Sequence, residues 1–177
     1  MEFQKLVEAR RSVRKYDATK VVTKEQVEEM VATAIQAPSW KNSQTARYYA
    51  VLSDEMRSKV MECLPEFNQK NAEGAALIVT TFVANRAGFN RDGQPDNEAG
   101  NGWGFYDLGL HNENFVLKAK EMGLDTLIMG IRDEGKIRET LDVPETETIV
   151  AVIALGYGQQ EPEMPKRKSP EDIIKFF

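Results

Sequence analysis

Ala75-Ala76-Leu77-Ile78-Val79-Thr80-Thr81-Phe82-Val83 is a long apolar run, rich in β-branched residues and without polar alternation. Such a run is most simply a strand buried on both faces, at the centre of a sheet. Thr148-Ile149-Val150-Ala151-Val152-Ile153-Ala154-Leu155 repeats the pattern and breaks at Gly156-Tyr157-Gly158. Shorter strands are expected at Arg47–Leu52 and at Leu127-Ile128-Met129, which leads into Gly130. Around these, the apolar period changes to that of helices. Phe3, Leu6 and Val7 should pack a first helix on the core. Thr23-Lys24-Glu25-Gln26 is a capping box, opening a helix with Val27, Met30, Val31, Ala34 and Ile35 inward. That helix should stop near Ala37, because the residue before Pro38 is pushed out of the helical region. A third helix is expected from about Asp54 until Pro65 closes it. Asp107 should open a long one carrying Leu108, His111, Phe115, Val116, Ala119 and Met122 to Gly123. Asp133 should cap another before Pro144. Ser169-Pro170-Glu171-Asp172 looks like the start of a last helix. Its Ile173, Ile174, Phe176 and Phe177 should dock on the core or on another subunit. Strands and helices do not alternate as regular βαβ units. One domain over residues 1–177 is therefore expected, an α+β sheet with helices packed on it rather than a Rossmann fold.

The bulk numbers exclude several functions. The chain has 177 residues, 41% apolar and 29% charged, with 23 Lys and Arg against 28 Asp and Glu, a net charge of -5. That balance disfavours general binding to nucleic acid or to a membrane surface. Its one histidine and one cysteine leave no His/Cys metal site and no internal disulfide. Cys63, beside Met56 and Val60, reads as buried and inert, and the chain as cytoplasmic or otherwise reduced. No stretch reaches membrane-spanning length, and Met1–Lys5 does not resemble a leader. Function is left to a bound organic cofactor, a carboxylate or cation site, or a protein partner.

Against that acidic background, Arg10-Arg11-Ser12-Val13-Arg14-Lys15-Tyr16 concentrates four cations and a hydroxyl. Several Arg and Lys donors with one hydroxyl match the charge and lone pairs of a phosphate. A solvated basic turn is the alternative. Lys166-Arg167-Lys168 is a second cluster at the other end of the chain. It is either a solvated end or a remote contribution to the same anion. Pro38-Ser39-Trp40-Lys41-Asn42-Ser43-Gln44 is a polar loop between a helix and a strand. Its amides suit the edge of a heterocycle such as a flavin pyrimidine, or they simply cap backbone. Residues 85–104 lack any apolar period, which marks a lid or interface loop anchored by Phe89 and Trp103, or an insertion without a role. Gly100, Gly102 and Gly104 do not have the dinucleotide spacing. Asp92, Asp96 and Glu98 lack the glycine and ligand order of a calcium loop. His111 reads as a core histidine.

Four of these segments, in order, resemble the FMN-dependent nitroreductase family over nearly the whole chain. They are Arg10–Tyr16, Pro38-Ser39-x-x-Asn42-x-Gln44, the helix from Asp107-x-Gly109 through Asn114 to Gly123-Leu124, and Leu155–Gly158 with Lys166–Lys168. The resemblance implies a central, mostly antiparallel sheet flanked by helices. It implies a homodimer holding one FMN in each of two active sites at the subunit interface. Arg10, Ser12 and Arg167, with Lys166 or Lys168 nearby, would hold the phosphate, and Arg11 would lie beside them. Arg14 would lie at the N1/O2 edge, where a fixed cation stabilises the charge of the reduced ring. Pro38, Ser39, Trp40, Asn42 and Gln44 would reach the flavin from the partner subunit. Met129 and Gly130 would border the ring, with the Gly130 amide near N5. The resemblance implies no catalytic side chain and no metal. NADH or NADPH would be the donor and a nitroaromatic, a quinone or a similar small molecule the acceptor. A dehalogenase or enone reductase on the same fold, and a non-catalytic flavin-binding module, are the alternatives. Trp40, Tyr48 and Phe89 would form the pocket wall. Trp40 stands where the family usually has a second serine, and Thr45-Ala46 where Pro-Trp commonly follows.

Overall fold

A computed structural model describes residues 2–177. Its sheet has four strands, β1 (Ala46–Val51), β2 (Ala76–Val83), β3 (Asp125–Met129) and β4 (Glu147–Gly156), in the spatial order β1-β2-β4-β3. Every neighbouring pair is antiparallel. The two long apolar runs occupy the two central positions, where both faces of a strand are covered.

Alternation along β2 divides the core. Leu77 and Val79 join Val51, Val60, Leu64, Ile137, Ile149 and Val152 on one face. There the sheet is covered by α3 (Asp54–Met61), α4 (Glu66–Ala72) and α6 (Glu134–Leu141). Ala76 and Ile78 join Val27, Met30, Phe115, Ala119, Ile153 and Leu155 on the other. That face carries α2 (Lys24–Ala34) and the long α5 (Gly102–Glu121). Burial of each large side chain in these clusters contributes about 1.5–3 kcal/mol. Thr23 and Gln26 form the expected reciprocal cap of α2, and the Asp133 side chain accepts the Lys136 N–H at the start of α6.

Several elements depart from the expectations above. Helix α3 ends at Met61, four positions before Pro65, and Pro65 is instead the N-cap of α4, a helix the sequence reading did not separate. Helix α5 starts at Gly102, five positions before Asp107. Its first turn has two weak helix formers, Gly102 and Gly104, and tertiary packing overrides their propensity. A Cβ built at Gly104 would lie 2.3 Å from the Phe82 ring, so only glycine lets the helix approach β2 this closely. Residues 85–101 are a set of linked turns, with Phe89 bridged to Pro95 and the Asp96 N–H donated to the Gly88 carbonyl. In α1 (Phe3–Ala9) Leu6 alone is buried, and Phe3 is 72% exposed. The tail forms one 3-10 turn, Pro170–Asp172, in place of a helix, and Phe176 is 91% exposed. The eight residues after the Ser169 cap supply too few bonds to offset helix nucleation without a surface to pack on. Ile173, Ile174, Phe176 and Phe177 therefore do not dock on their own core. Among the described residues no helix is long and apolar enough to cross a membrane, and no cluster of three or more His, Cys, Asp or Glu can hold a metal ion. His111 is buried in α5 with Nδ1 2.8 Å from the Asp107 carbonyl oxygen. Cys63 is buried, its thiol donates to the Lys59 carbonyl, and burial raises its pKa.

Candidate functional site

The basic heptad is stitched to the sheet through its backbone. Ser12 bridges Thr126 on the free edge of β3, and the Val13 N–H donates to the Thr126 carbonyl at 3.0 Å. Tyr16 bridges Gly158, and the Gln159 N–H donates to the Lys15 carbonyl. Val13 and Tyr16 turn inward, and the Tyr16 hydroxyl donates to the Val13 carbonyl at 2.7 Å. Burial, reinforced by the Asp125 charge and opposed by Arg14, pushes the Tyr16 phenol well above its ordinary pKa, so it stays a neutral donor. With these two residues inward, the cations are left outward. None of the seven cations in the two basic clusters forms an ion pair with a carboxylate among the described residues. In a chain of net charge -5, that leaves them available to an external anion.

The heptad does not form a single cup. Arg11 lines a hollow of about 310 Å³ with Lys120, Gln160 and Met164. Arg14 and Lys15 line another, of about 230 Å³, with Lys70 and Gly74. Arg14 Nη1 is folded back onto the Ser12 carbonyl at 3.1 Å, and Arg11 Nη1 donates to the Arg10 carbonyl. The tail passes the heptad at Met164, two positions before Lys166. Lys166, Arg167 and Lys168 themselves are exposed and make no hydrogen bond to the heptad. Met129 is buried in the core, so strand alternation offers a ligand its backbone only, and the exposed Ile128 and Gly130 face outward. A Cβ on Gly130 would meet nothing within 4 Å, which leaves open space beside its backbone. Ile128 was not singled out by the sequence, although its place between two core positions of a strand marks it as outward-facing.

The second constellation is held differently. Trp40–Asn42 form a 3-10 turn, and Lys41, Asn42 and Gln44 all take left-handed backbone angles, with φ of 46°, 55° and 49°. Side chains carry the cost of this conformation. Asp107 Oδ2 accepts the Trp40 N–H at 2.8 Å, and Ser39 Oγ accepts the Gln44 N–H at 3.1 Å. The Trp40 and Trp103 rings lie 4.4 Å apart between centroids, and Lys41 Nζ pairs with Asp96 Oδ2 at 2.7 Å. Asp107, read from sequence as a helix start within the Asp107-x-Gly109 segment and given no role in the loop, is thus the loop's buried anchor. Burial raises its carboxyl pKa, opposed by the Trp40 N–H bond and by His111. Trp40 Nε1, Ser43 Oγ and Thr45 Oγ1 are buried without a hydrogen-bond partner. Buried polar atoms are normally satisfied, so these orphans at the mouth of the loop fit a polar heterocycle laid against it. Trp40, Lys41, Asn42 and Ser43 form one wall of a cleft of about 930 Å³, and Asn85–Arg91 the other. Phe89 and Trp103 do anchor this segment, but Tyr48 is not in the cleft wall. It stacks on Phe115 with centroids 5.5 Å apart, over the α2 and α5 face.

The two constellations lie at opposite corners of the sheet. The loop enters β1, one edge strand, at Ala46, level with Phe82 and Thr148. The heptad joins the other edge, with Ser12 at Thr126, level with Leu155. Four inter-strand steps and seven residues along β4 separate them, about 30 Å on the diagonal. One chain does not bring them together.

Comparison with known proteins agrees with this architecture. The model of the nitroreductase family matches residues 7–157. An Archaeoglobus fulgidus protein named as an NADH dehydrogenase/NAD(P)H nitroreductase is 28% identical, over 97% of this chain and 96% of its own. The NADPH-flavin oxidoreductase of Vibrio harveyi is 29% identical, over 94% of this chain and 69% of its own. A nitroreductase-type protein from Exiguobacterium sibiricum, crystallised with FMN, superposes with a TM-score of 0.83 at 23% identity, covering 100% of this chain and 98% of that one. The match spans both basic and polar constellations and the whole sheet, and the chain belongs to the nitroreductase family.

Proposed function

We propose that this protein is an FMN-dependent oxidoreductase that takes hydride from NAD(P)H and reduces a nitroaromatic, a quinone or a similar small acceptor in a ping-pong cycle. The observation that carries this reading is the diagonal separation of two unsatisfied half-sites. One supplies unpaired cations at the free edge of β3, the other orphaned polar groups at the entrance to β1. A two-fold axis relating two copies brings the corner of one chain to the opposite corner of the other, and makes two equivalent sites. The exposed apolar residues of α1 and of the tail, among them Phe3, Ile173 and Phe176, are consistent with surfaces covered in such a dimer.

When bound, FMN supplies the redox chemistry, accepting and releasing hydride at N5. The polypeptide positions it. Arg10, Ser12 and Arg167 hold the phosphate, with Lys166 and Lys168 adding charge and Arg11 alongside. Arg14 places a fixed cation at the N1/O2 edge, where it favours the reduced ring. From the second chain Pro38, Ser39, Trp40, Asn42 and Gln44 hold the polar edge, and Gly130 offers open backbone beside the ring. Names borne by the relatives support the donor and cofactor: one is an NAD(P)H nitroreductase, one an NADPH-flavin oxidoreductase, and one fold relative was crystallised with FMN.

The test is the visible spectrum and the mass of the purified protein in solution. A yellow protein of two-chain mass with one FMN per chain, bleached by NADH or NADPH without oxygen, is the expected result. A protein that is colourless and takes up no added FMN would refute the reading.

A further inference from the structure

The cleft between Trp40–Ser43 and Asn85–Arg91 has more positive charge than a flavin edge needs. Its lining includes Lys41, Arg86 and Arg91 and no carboxylate. Asp96 neutralises Lys41 at 2.7 Å, and neither Arg86 nor Arg91 has an ion-pair partner among the described residues. Two exposed guanidinium groups on the lining of one cleft, with no carboxylate partner, are available to an anion.

The arginines are presented by a built scaffold. Asn85 takes a left-handed φ of 57°, and its N–H and side-chain oxygen are both bonded by Asn101, at 2.7 and 2.9 Å. Gly88, at φ 81°, lies so close to Trp103 that a Cβ there would be 2.6 Å from the indole. Asn90 Oδ1 accepts the N–H groups of Asp92 and Gln94, at 2.9 and 3.0 Å. The backbone of the turn that carries Arg86, Phe89 and Arg91 is thereby held before any ligand arrives, so less entropy is lost in ordering the loop on binding.

We propose that Arg86 and Arg91 bind the 2′-phosphate of the nicotinamide dinucleotide, so that the enzyme selects NADPH over NADH. This rests on the FMN reading only for the identity of the reaction. FMN has a single phosphate, which the heptad and tail cations already match. A second set of cations, across the cleft from Trp40–Ser43, is therefore matched to a second anion. A 2′-phosphate monoester carries close to two negative charges and three acceptor oxygens, the charge and geometry that two planar guanidinium groups take bidentately. The volume of about 930 Å³ is at the upper end of small-ligand sites, as an extended dinucleotide requires. The Phe89 ring on the same lining offers an apolar face for the adenine.

The test uses calorimetric titration with 2′-phospho-ADP-ribose and with ADP-ribose, alongside Arg86→Gln/Arg91→Gln and each single variant. Neither probe needs the flavin to be present or active. Wild-type protein should bind the 2′-phosphorylated probe about 10- to 100-fold more tightly, the range for charged hydrogen bonds. The double variant should bind the two probes nearly equally, each single variant should lose part of the preference, and added salt should narrow it. Flavin content of the double variant should match wild type, since both arginines are exposed. Equal binding of the two probes by wild type overturns the proposal, as does a preference that survives in the double variant. A parallel loss of both probes also overturns it, because the arginines then read the shared diphosphate. Protein that takes up no FMN but prefers the 2′-phosphorylated probe would refute the cofactor reading and leave this one standing.

Discussion

The Arg10–Tyr16 heptad and the Pro38–Gln44 loop do comparable work by opposite construction. The heptad is an extension of the sheet, held by backbone bridges to Thr126 and Gly158 and by the buried Val13 and Tyr16. Its cations are thereby left without a carboxylate partner among the described residues, Arg11 and Arg14 bonding only nearby carbonyls. The loop has no strand to lean on and adopts left-handed angles at three positions. It is held from outside, by Asp107, by Ser39 and by the Trp40–Trp103 and Lys41–Asp96 contacts to the next segment. A charge site can be built on regular backbone, because electrostatic attraction tolerates small displacements. A surface meant to meet a planar ring edge needs several groups in fixed positions, and side-chain anchors supply that.

Substitutions at the two sets of anchors break this contrast in different ways. Tyr16→Ala should have the largest effect, a loss of about 3–5 kcal/mol of stability as for other large buried aromatics. Denaturant melts would measure it, and anion affinity at the heptad should fall with it, while Tyr16→Phe should cost about 1 kcal/mol. Trp103→Ala removes the ring against Trp40 and should cost about 2–3 kcal/mol, less because Trp103 is only half-buried. Hydrogen exchange should then speed up over residues 38–44 and 85–101 and stay unchanged over 10–16. Faster exchange in both regions would show that the two are not independently held.

Asp107 gives a smaller and pH-dependent effect. Burial raises its folded pKa, so the folded chain favours the protonated carboxyl. The stability linked to that proton is fully present below the ordinary carboxylate pKa and is lost as pH rises through the raised value. Asp107→Asn keeps an acceptor for the Trp40 N–H and should flatten this slope. Asp107→Ala should flatten it too, but at a cost of about 1–2 kcal/mol for the unpaired amide. Stability curves against pH for the three proteins check the sign. Arg14→Ala should have the smallest effect on stability, because the side chain is exposed. It should instead lower the flavin midpoint potential, and an unchanged potential would remove the argument for a cation at the ring edge.

The sheet was readable in the sequence because β2 and β4 carry long apolar runs without polar alternation, the pattern of a strand covered on both faces. The heptad was readable by charge, and the Pro38–Gln44 loop by its density of amides. The start of α5 was not, because Gly102 and Gly104 are poor helix formers, and close packing of Gly104 on Phe82 and of Trp103 on Trp40 holds that turn. The corner-to-corner arrangement of the half-sites was not readable either. It depends on strand order and register, which residues far apart in the chain set together. Arg86 and Arg91 were hidden in a segment with no apolar period, and only its folded turns bring them beside Lys41.

The central claim is that each site takes one corner from each of two chains. Subunit mixing tests it most directly, with Arg10→Ala/Arg14→Ala as one variant and Asn42→Ala/Asp107→Ala as the other. Each alone should bind FMN weakly. After dissociation and reassembly in equal amounts, half the dimers should be mixed and each should have one intact site, so about a quarter of all sites should regain wild-type affinity. No recovery on mixing would contradict the account, because both corners would then be acting within a single chain.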